Sequence, residues 1–218
     1  MDDPTRPHGL DRVRTAHADL VRHLDDLVGD EGADPAVPSA LPGWTRGHVL
    51  THVARNADSF VRVLRAGERG EAVAQYEGGP PARNAAIEDG AGRDWLTLVD
   101  DVAQSASALE QTFAGQTVWT GSYTTSGETP ALADLPFRRW REVLIHHADL
   151  GDAAFTPADW PAEYQREELR RLEMRWNSRR PMGATGLPAA ALHAPSLDRL
   201  LWLLGRAEID GLGPAEIF

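Results

Sequence analysis

Cysteine is absent from the 218-residue chain, which excludes disulfide bonds, thiolate metal sites and a catalytic thiol of its own. Any thiol chemistry has to import its sulfur. Positive charge is scarce: Lys and Arg number 22 against 33 Asp and Glu, a formal net charge of −11, and such a surface repels a phosphate backbone. Nucleic acid is therefore not an expected partner. Lysine does not occur, so every cationic side chain is Arg. Long apolar runs are missing too, none approaching the roughly 18 residues that would span a bilayer. The opening stretch MDDPTRPHGLDRVR carries acidic residues where a secretory peptide would be basic, so the expectation is a cytoplasmic protein without membrane association. What is present, 42% hydrophobic and 25% charged residues, suits a globular core. The length suggests one full core with a small appendage.

Apolar periodicity is the strongest structural signal. In LDRVRTAHADLVRHLDDLV, residues Leu10, Val13, Ala16, Leu20 and Leu24 recur at three- and four-residue intervals, the pattern of an amphipathic helix. After a Gly- and Pro-rich loop, Thr45 stands where an N-cap belongs, and Val49, His52, Val53, Asn56, Phe60, Val63 and Leu64 form the stripe of a second helix with Gly67 as its C-cap. A third helix is expected from about Ala82 to Phe113, with Gly90 and Gly92 able to break or kink it. Residues 116–130 read as a short hairpin or a loop. Asp134 is a candidate cap for a fourth helix whose stripe runs through Leu135, Arg139, Glu142, Val143, His146 and Leu150. Four helices of these lengths make a mainly α fold, with an antiparallel four-helix bundle over residues 1–155. Residues 156–218 form a small helical or α/β appendage, with a charged helix over Glu163–Arg179, a loop through GATGLPAAALHAP, and an apolar helix from Ser196, its expected cap, to Arg206.

Two ionisable residues lie on the face that the fourth helix turns inward. Glu142 and His146 are four apart and so stack one turn along the same side, whereas His147 is swung off that side and is expected to face outward or sideways. His52, on the apolar stripe of the second helix, can lie opposite them. Two His and a Glu leave one position open on a tetrahedral zinc, the arrangement of a catalytic site. Asp149, three residues past His146, is placed to take the other imidazole N–H. The bland alternative is that these are surface or satisfied core histidines. A rival pair, His48 with His52, offers two ligands on one helix but leaves Glu142 unused. Trp44, Trp95, Trp140 and Trp202 read as core or pocket wall. Arg83, Arg138, Arg139 and Arg206 read as solvated or ion-paired unless one of them clamps a carboxylate. No P-loop, dinucleotide fingerprint or nucleophile elbow is present.

The stretches LPGWTRGHVLTHVARNAD, RNAAIEDGAGR, LPFRRWREVLIHHADLGDA and LLWLLGR together resemble the mycothiol-dependent maleylpyruvate isomerase family of the DinB-like helical bundle superfamily. The resemblance covers about residues 8–155, with a thinner match near the end. Its most specific parts are W-x7-H, met by Trp44 and His52, and E-x3-H-x2-D-L, met by Glu142, His146, Asp149 and Leu150. The resemblance implies a zinc or other divalent metal held by His52, Glu142 and His146. It also implies mycothiol, the small thiol of actinobacteria, as cosubstrate, and conversion of maleylpyruvate to fumarylpyruvate by thiolate addition, bond rotation and elimination. Arg83, Arg206, Trp44 and Asn56 are then candidates for contact with substrate or thiol, the partners being a small thiol and a small electrophile. Transfer of the thiol onto an electrophile is a sister activity. The region before LLWLLGR is short and arginine-rich beside the longer α/β domain usual in the family. A zinc-hydroxide hydrolase and a non-catalytic binding or stress-response bundle remain the alternatives, and the sequence does not set the oligomeric state.

Overall fold

Leucine and valine at helical spacing build the first element, α1 (Leu10–Asp26), which buries Val13, Ala16, Leu20 and Leu24 along one stripe. The computed structural model describes residues 9–29, 33–179 and 186–217; the parts of the loop readings that fall on 30–32 and 180–185 lie outside the described residues. The second helix, α2 (Arg46–Glu68), starts where His48 Nδ1 accepts the Thr45 backbone N–H at 3.1 Å, which satisfies a donor the helix leaves open. Gly67 does not cap α2, which runs one residue further. Its lack of a side chain serves packing instead, because a Cβ there would lie 2.5 Å from a Leu132 methyl.

The single third helix expected over 82–113 is two helices, α3 (Gly79–Ala91) and α4 (Trp95–Gly115). The break falls after Gly92, where Asp94 accepts the Thr97 N–H at 3.0 Å and so starts a new helix with its own cap. Pro80 and Pro81 sit in the first turn of α3, where their missing N–H groups cost nothing. The last bundle helix is α5 (Leu135–Asp149). A 3₁₀ turn over Leu132–Asp134 leads into it, so Asp134 closes that turn rather than capping α5 with its carboxylate.

Hydrogen bonds between helices fix how they run. Trp95 Nε1 donates to the Leu24 carbonyl at 3.3 Å and His17 meets Glu110 at 2.7 Å, so α1 and α4 are antiparallel. Arg46 Nε reaches the Leu150 carbonyl at 3.0 Å and His52 meets Glu142 at 3.1 Å, which makes α2 and α5 antiparallel as well. By contrast α2 and α4 run the same way: Arg55 pairs with Asp101 and Gln116 donates to the Leu64 carbonyl. The same holds for α1 and α5, tied at His17–Arg139 and His23–His147. Parallel neighbours need a crossover connection, and α3, which lies along α2, provides it. Its approach depends on Gly47, where a Cβ would sit 2.0 Å from the Ala91 carbonyl oxygen.

The segment from 116 to 131 holds no strand. It is tied down by isolated bridges, Ser122 with Ala131 and Ala74 with Thr124. Gln75 N–H donates to the Thr124 carbonyl at 2.7 Å and Thr124 N–H to the Val73 carbonyl at 3.0 Å, so two connecting segments are stitched to each other. The chain separates into two compact units, Met1–Ala154 and Phe155–Phe218. Among its described residues the second is helical, with α6 (Ala162–Ser178), α7 (Ala189–His193) and α8 (Ser196–Leu203). It is built around Tyr164, Leu172, Leu200 and the Trp176 and Trp202 rings, whose centroids are 5.2 Å apart. Pro195, not Ser196, occupies the cap position of α8. Among the described residues no helix is long and apolar enough to cross a membrane.

Gly47→Ala is expected to push α3 off α2 and destabilise the chain by about 1–3 kcal/mol. A circular-dichroism melt reads this directly, and an unchanged midpoint would show that α3 yields without cost.

Candidate metal centre and its cavity

Because α2 and α5 are antiparallel neighbours, residues near the start of one helix face those near the end of the other. His52 Nε2 lies 3.1 Å from Glu142 Oε2, and His146 Nε2 lies 3.5 Å from the same oxygen. The two imidazole rings meet edge to face with centroids 4.5 Å apart. Donor atoms of the three residues all lie within 4.8 Å of one another. These separations suit ligands held at about 2.0–2.2 Å from one tetrahedral cation, which places them roughly 3.4 Å apart. His52 is almost fully covered, its side chain 5% exposed, while Glu142 keeps 23% open, so the group is reached from the Glu142 side. Asp149 Oδ2 lies 2.9 Å from His146 Nδ1, which leaves Nε2 as the nitrogen presented to the centre.

The open side is a cavity of about 460 Å³. His52, Glu142, His146 and Asn56 form one wall. The facing wall comes from outside the bundle helices: Gln75 and Tyr76, Pro80 and Arg83 of α3, and Thr124 to Ser126. Arg83 Nη2 approaches His52 Nδ1 at 3.2 Å, and its guanidinium lies 6.0 Å from the Trp44 ring and 5.9 Å from the Tyr76 ring. The Trp44 ring in turn meets His52 edge-on at 5.7 Å. Of the sequence-predicted residues the structure thus gathers His52, Glu142, His146, Asp149, Arg83, Trp44 and Asn56 in one place. Arg206 belongs to the C-terminal unit, where it donates to the Leu204 carbonyl at 3.2 Å.

The charge states follow from burial and pairing. Burial, reinforced by the charge on His146, lowers the His52 pKa to about 4, so His52 is a neutral imidazole at neutral pH. Burial works against ionising Glu142, but the hydrogen bonds from His146 and His52 outweigh it and hold the carboxyl well below its usual range. Burial likewise opposes the protonated form of His146, yet Asp149 and Glu142 prevail and raise its pKa. An ionised carboxylate flanked by two imidazoles is a donor set for a divalent cation.

Of the two directions expected for His147, outward and sideways, the structure takes the second. It is 3% exposed, and its Nε2 meets His23 Nδ1 at 2.7 Å. Adjacent helical residues point about 100° apart, and α5 has α2 on one flank and α1 on the other, so His146 and His147 each find a neighbour. His48 faces the N-cap of α2 through Nδ1 and Glu88 through Nε2, at 3.3 Å, which removes it as a partner for His52.

Arg139, read as solvated or ion-paired, has 0% exposure. Its Nη1 donates to the Val53 carbonyl at 2.8 Å and to Asn56 Oδ1 at 2.9 Å, and its Nε donates to His17 Nε2 at 2.9 Å. A guanidinium only donates, so His17 carries its proton on Nδ1, which gives it to Glu110 at 2.7 Å. This line of polar groups passes through all four bundle helices one turn from Glu142. Its sequence signal was an arginine on the inward stripe of the fourth helix. Tyr76 offered no comparable signal, because it lies in a connecting segment with no periodicity.

Residues 13–151 match a family described as the mycothiol maleylpyruvate isomerase N-terminal domain. Among solved structures, a crystal structure described as the mycothiol-dependent maleylpyruvate isomerase is similar over 94% of this chain and 91% of that one, with 25% identity and a TM-score of 0.78. A histidine-to-alanine mutant of that enzyme matches with the same coverage and identity and a TM-score of 0.77. Since 91% of that chain is covered, the C-terminal region is not much shortened beside this relative. No curated protein gives a significant match.

The buried network makes stability depend on acid. Burial, then the charge of Arg139, brings the His17 pKa from 6.5 down to about 4, against the pull of Glu110. Between those values the unfolded chain binds a proton that the folded chain refuses, so stability is complete above pH 6.5 and falls as the pH drops toward 4. The loss is on the order of 3 kcal/mol. Urea unfolding from pH 7 to 4 is expected to show a shallower decline for His17→Gln than for the parent; equal slopes would assign the acid sensitivity elsewhere.

Proposed function

This chain belongs to the mycothiol maleylpyruvate isomerase family, and from that premise we propose that it is a zinc-dependent enzyme that uses mycothiol to isomerise a cis-enedioate of the maleylpyruvate type. The observation that carries this reading is the convergence of two imidazoles and one carboxylate on the wall of an open cavity. His52, Glu142 and His146 would hold zinc or another divalent metal and leave one position for a ligand. When bound, the metal stabilises a thiolate at neutral pH. A chain without cysteine has to take that sulfur from a cosubstrate.

The protein's own groups then bind and orient. Asp149 holds His146 by its Nδ1 and so keeps Nε2 turned to the centre. Arg83 donates to His52 Nδ1, which puts the His52 proton on Nε2, where it is given to Glu142. With Nε2 turned to a metal, His52 would carry that proton on Nδ1. Arg83 has no acceptor to offer it, so the guanidinium would be available to the cavity, where a substrate carboxylate is its natural partner. The cavity hydroxyls of Thr124, Thr125 and Ser126 face the same space and suit the polar groups of a substrate or thiol.

Metal analysis of the purified chain and of His52→Ala, with an assay of maleylpyruvate isomerisation in the presence and absence of mycothiol, tests the reading. Stoichiometric zinc that is lost in the variant, together with a fall in thiol-dependent turnover of more than about 100-fold, is expected. Activity that ignores the thiol would favour a zinc-hydroxide hydrolase, and a product that retains sulfur would favour thiol transfer. A parent chain that holds no metal and binds no mycothiol would overturn the proposal.

A further inference from the structure

The wall facing the three donor residues carries a half-buried tyrosine that the metal chemistry leaves unused. Tyr76 lines the cavity beside Asn56 and Arg83, and both of these act on its phenol oxygen through hydrogen bonds. Asn56 is not free to choose which end of its amide it shows. Arg139 Nη1 donates to Asn56 Oδ1 at 2.9 Å, and a guanidinium cannot accept, so the NH₂ end is the one left for Tyr76. Arg83 also only donates. Both neighbours therefore present donors to the phenol and neither takes its proton. Among the described residues no other group accepts it. Burial, with the negative charge of Glu142, raises the Tyr76 pKa, so the O–H is intact at neutral pH on a residue that lines the cavity.

The direction of this donor is set far from the substrate. Arg139 is held by the Val53 carbonyl and by His17 as well as by Asn56, and none of it is exposed. The amide orientation of Asn56 is thus fixed from the centre of the bundle.

We infer that Tyr76 is a further catalytic residue, donating its O–H to the substrate oxygen on which negative charge gathers, and that Arg139 is a positioning residue that sets this donor through Asn56. The inference rests on the isomerase reading above. When the thiolate sulfur bonds to one alkene carbon, the π pair moves through the conjugated carbonyl onto its oxygen, and the Tyr76 hydrogen bond meets that oxyanion. After rotation about the new single bond the pair returns, the carbon–carbon double bond re-forms as trans, and the carbon–sulfur bond breaks with the thiolate keeping the pair it brought. No proton is consumed and no oxidant is needed.

Tyr76→Phe keeps the ring and removes the donor. In the zinc-loaded chain with mycothiol and maleylpyruvate, its kcat is expected to fall about 100-fold, with zinc content, thermal midpoint and KM for mycothiol unchanged. Asn56→Asp keeps the shape and the Arg139 contact but turns the donor facing Tyr76 into an acceptor, which captures the phenol proton. It is expected to lose kcat similarly, and adding Tyr76→Phe to it should cost little more. An undiminished kcat in Tyr76→Phe overturns the inference. Should the parent fail to isomerise, the functional reading falls, and calorimetric titration with maleate then judges Tyr76 alone. About 10-fold weaker binding in Tyr76→Phe supports the donor, whereas equal affinity, or binding by neither chain, refutes it.

Discussion

A guanidinium with no solvent on any side depends on the protein around it for hydrogen bonds, and the bundle brings three acceptors to two of the Arg139 nitrogens, Nε and Nη1. Arg139 reaches a main-chain carbonyl and an amide oxygen on α2 and an imidazole on α1, which passes its own proton to a carboxylate on α4. Burial lowers the Arg139 pKa only to about 10, so the charge persists at neutral pH. Removing one partner of a buried charge leaves the other uncompensated. The four helices are therefore held in one relative setting by directional bonds as well as by apolar packing, which tolerates small slides more readily.

That setting is what the candidate metal centre needs. Its donors come from two helices, and a slide of a single residue along either axis would move His52 about 1.5 Å past Glu142. Arg139 lies one turn from Glu142 on the same helix and binds α2 one residue and four residues after His52, so the register that satisfies the arginine is the register that assembles the donors. The gathering of the three donor residues and the stability of the core thus draw on one geometric condition.

The sequence was most legible where period and burial coincide. The stripes of α1 and α5 are read directly from their apolar spacing, and Glu142 and His146 share a face for the same reason. The third helix was left open between one helix and two because glycine inside a helical pattern is tolerated at a cost or ends it. Asp94, two residues past Gly92, was the better sign of a new helix, being an N-cap residue ahead of an apolar run. His147 was left between outward and sideways because a helix with neighbours on two flanks has two inward faces, a fact of packing that the spacing along one helix does not contain. Tyr76 and the Thr124 segment were invisible for a related reason. They meet the site through hydrogen bonds between connecting segments that lie far apart in the chain.

The two walls of the cavity have different origins. The donor wall is made of bundle residues whose movement would unsettle the core, whereas the facing wall is made of α3 and two connecting segments pinned to each other by a few main-chain bonds. The backbone that carries the second wall is thus separate from the helices that carry the first, the two meeting where Arg83 reaches His52. The donor set and the outline of the space beside it are in this way heritable separately: the scaffold can pass on one centre unchanged while the shape that it faces drifts.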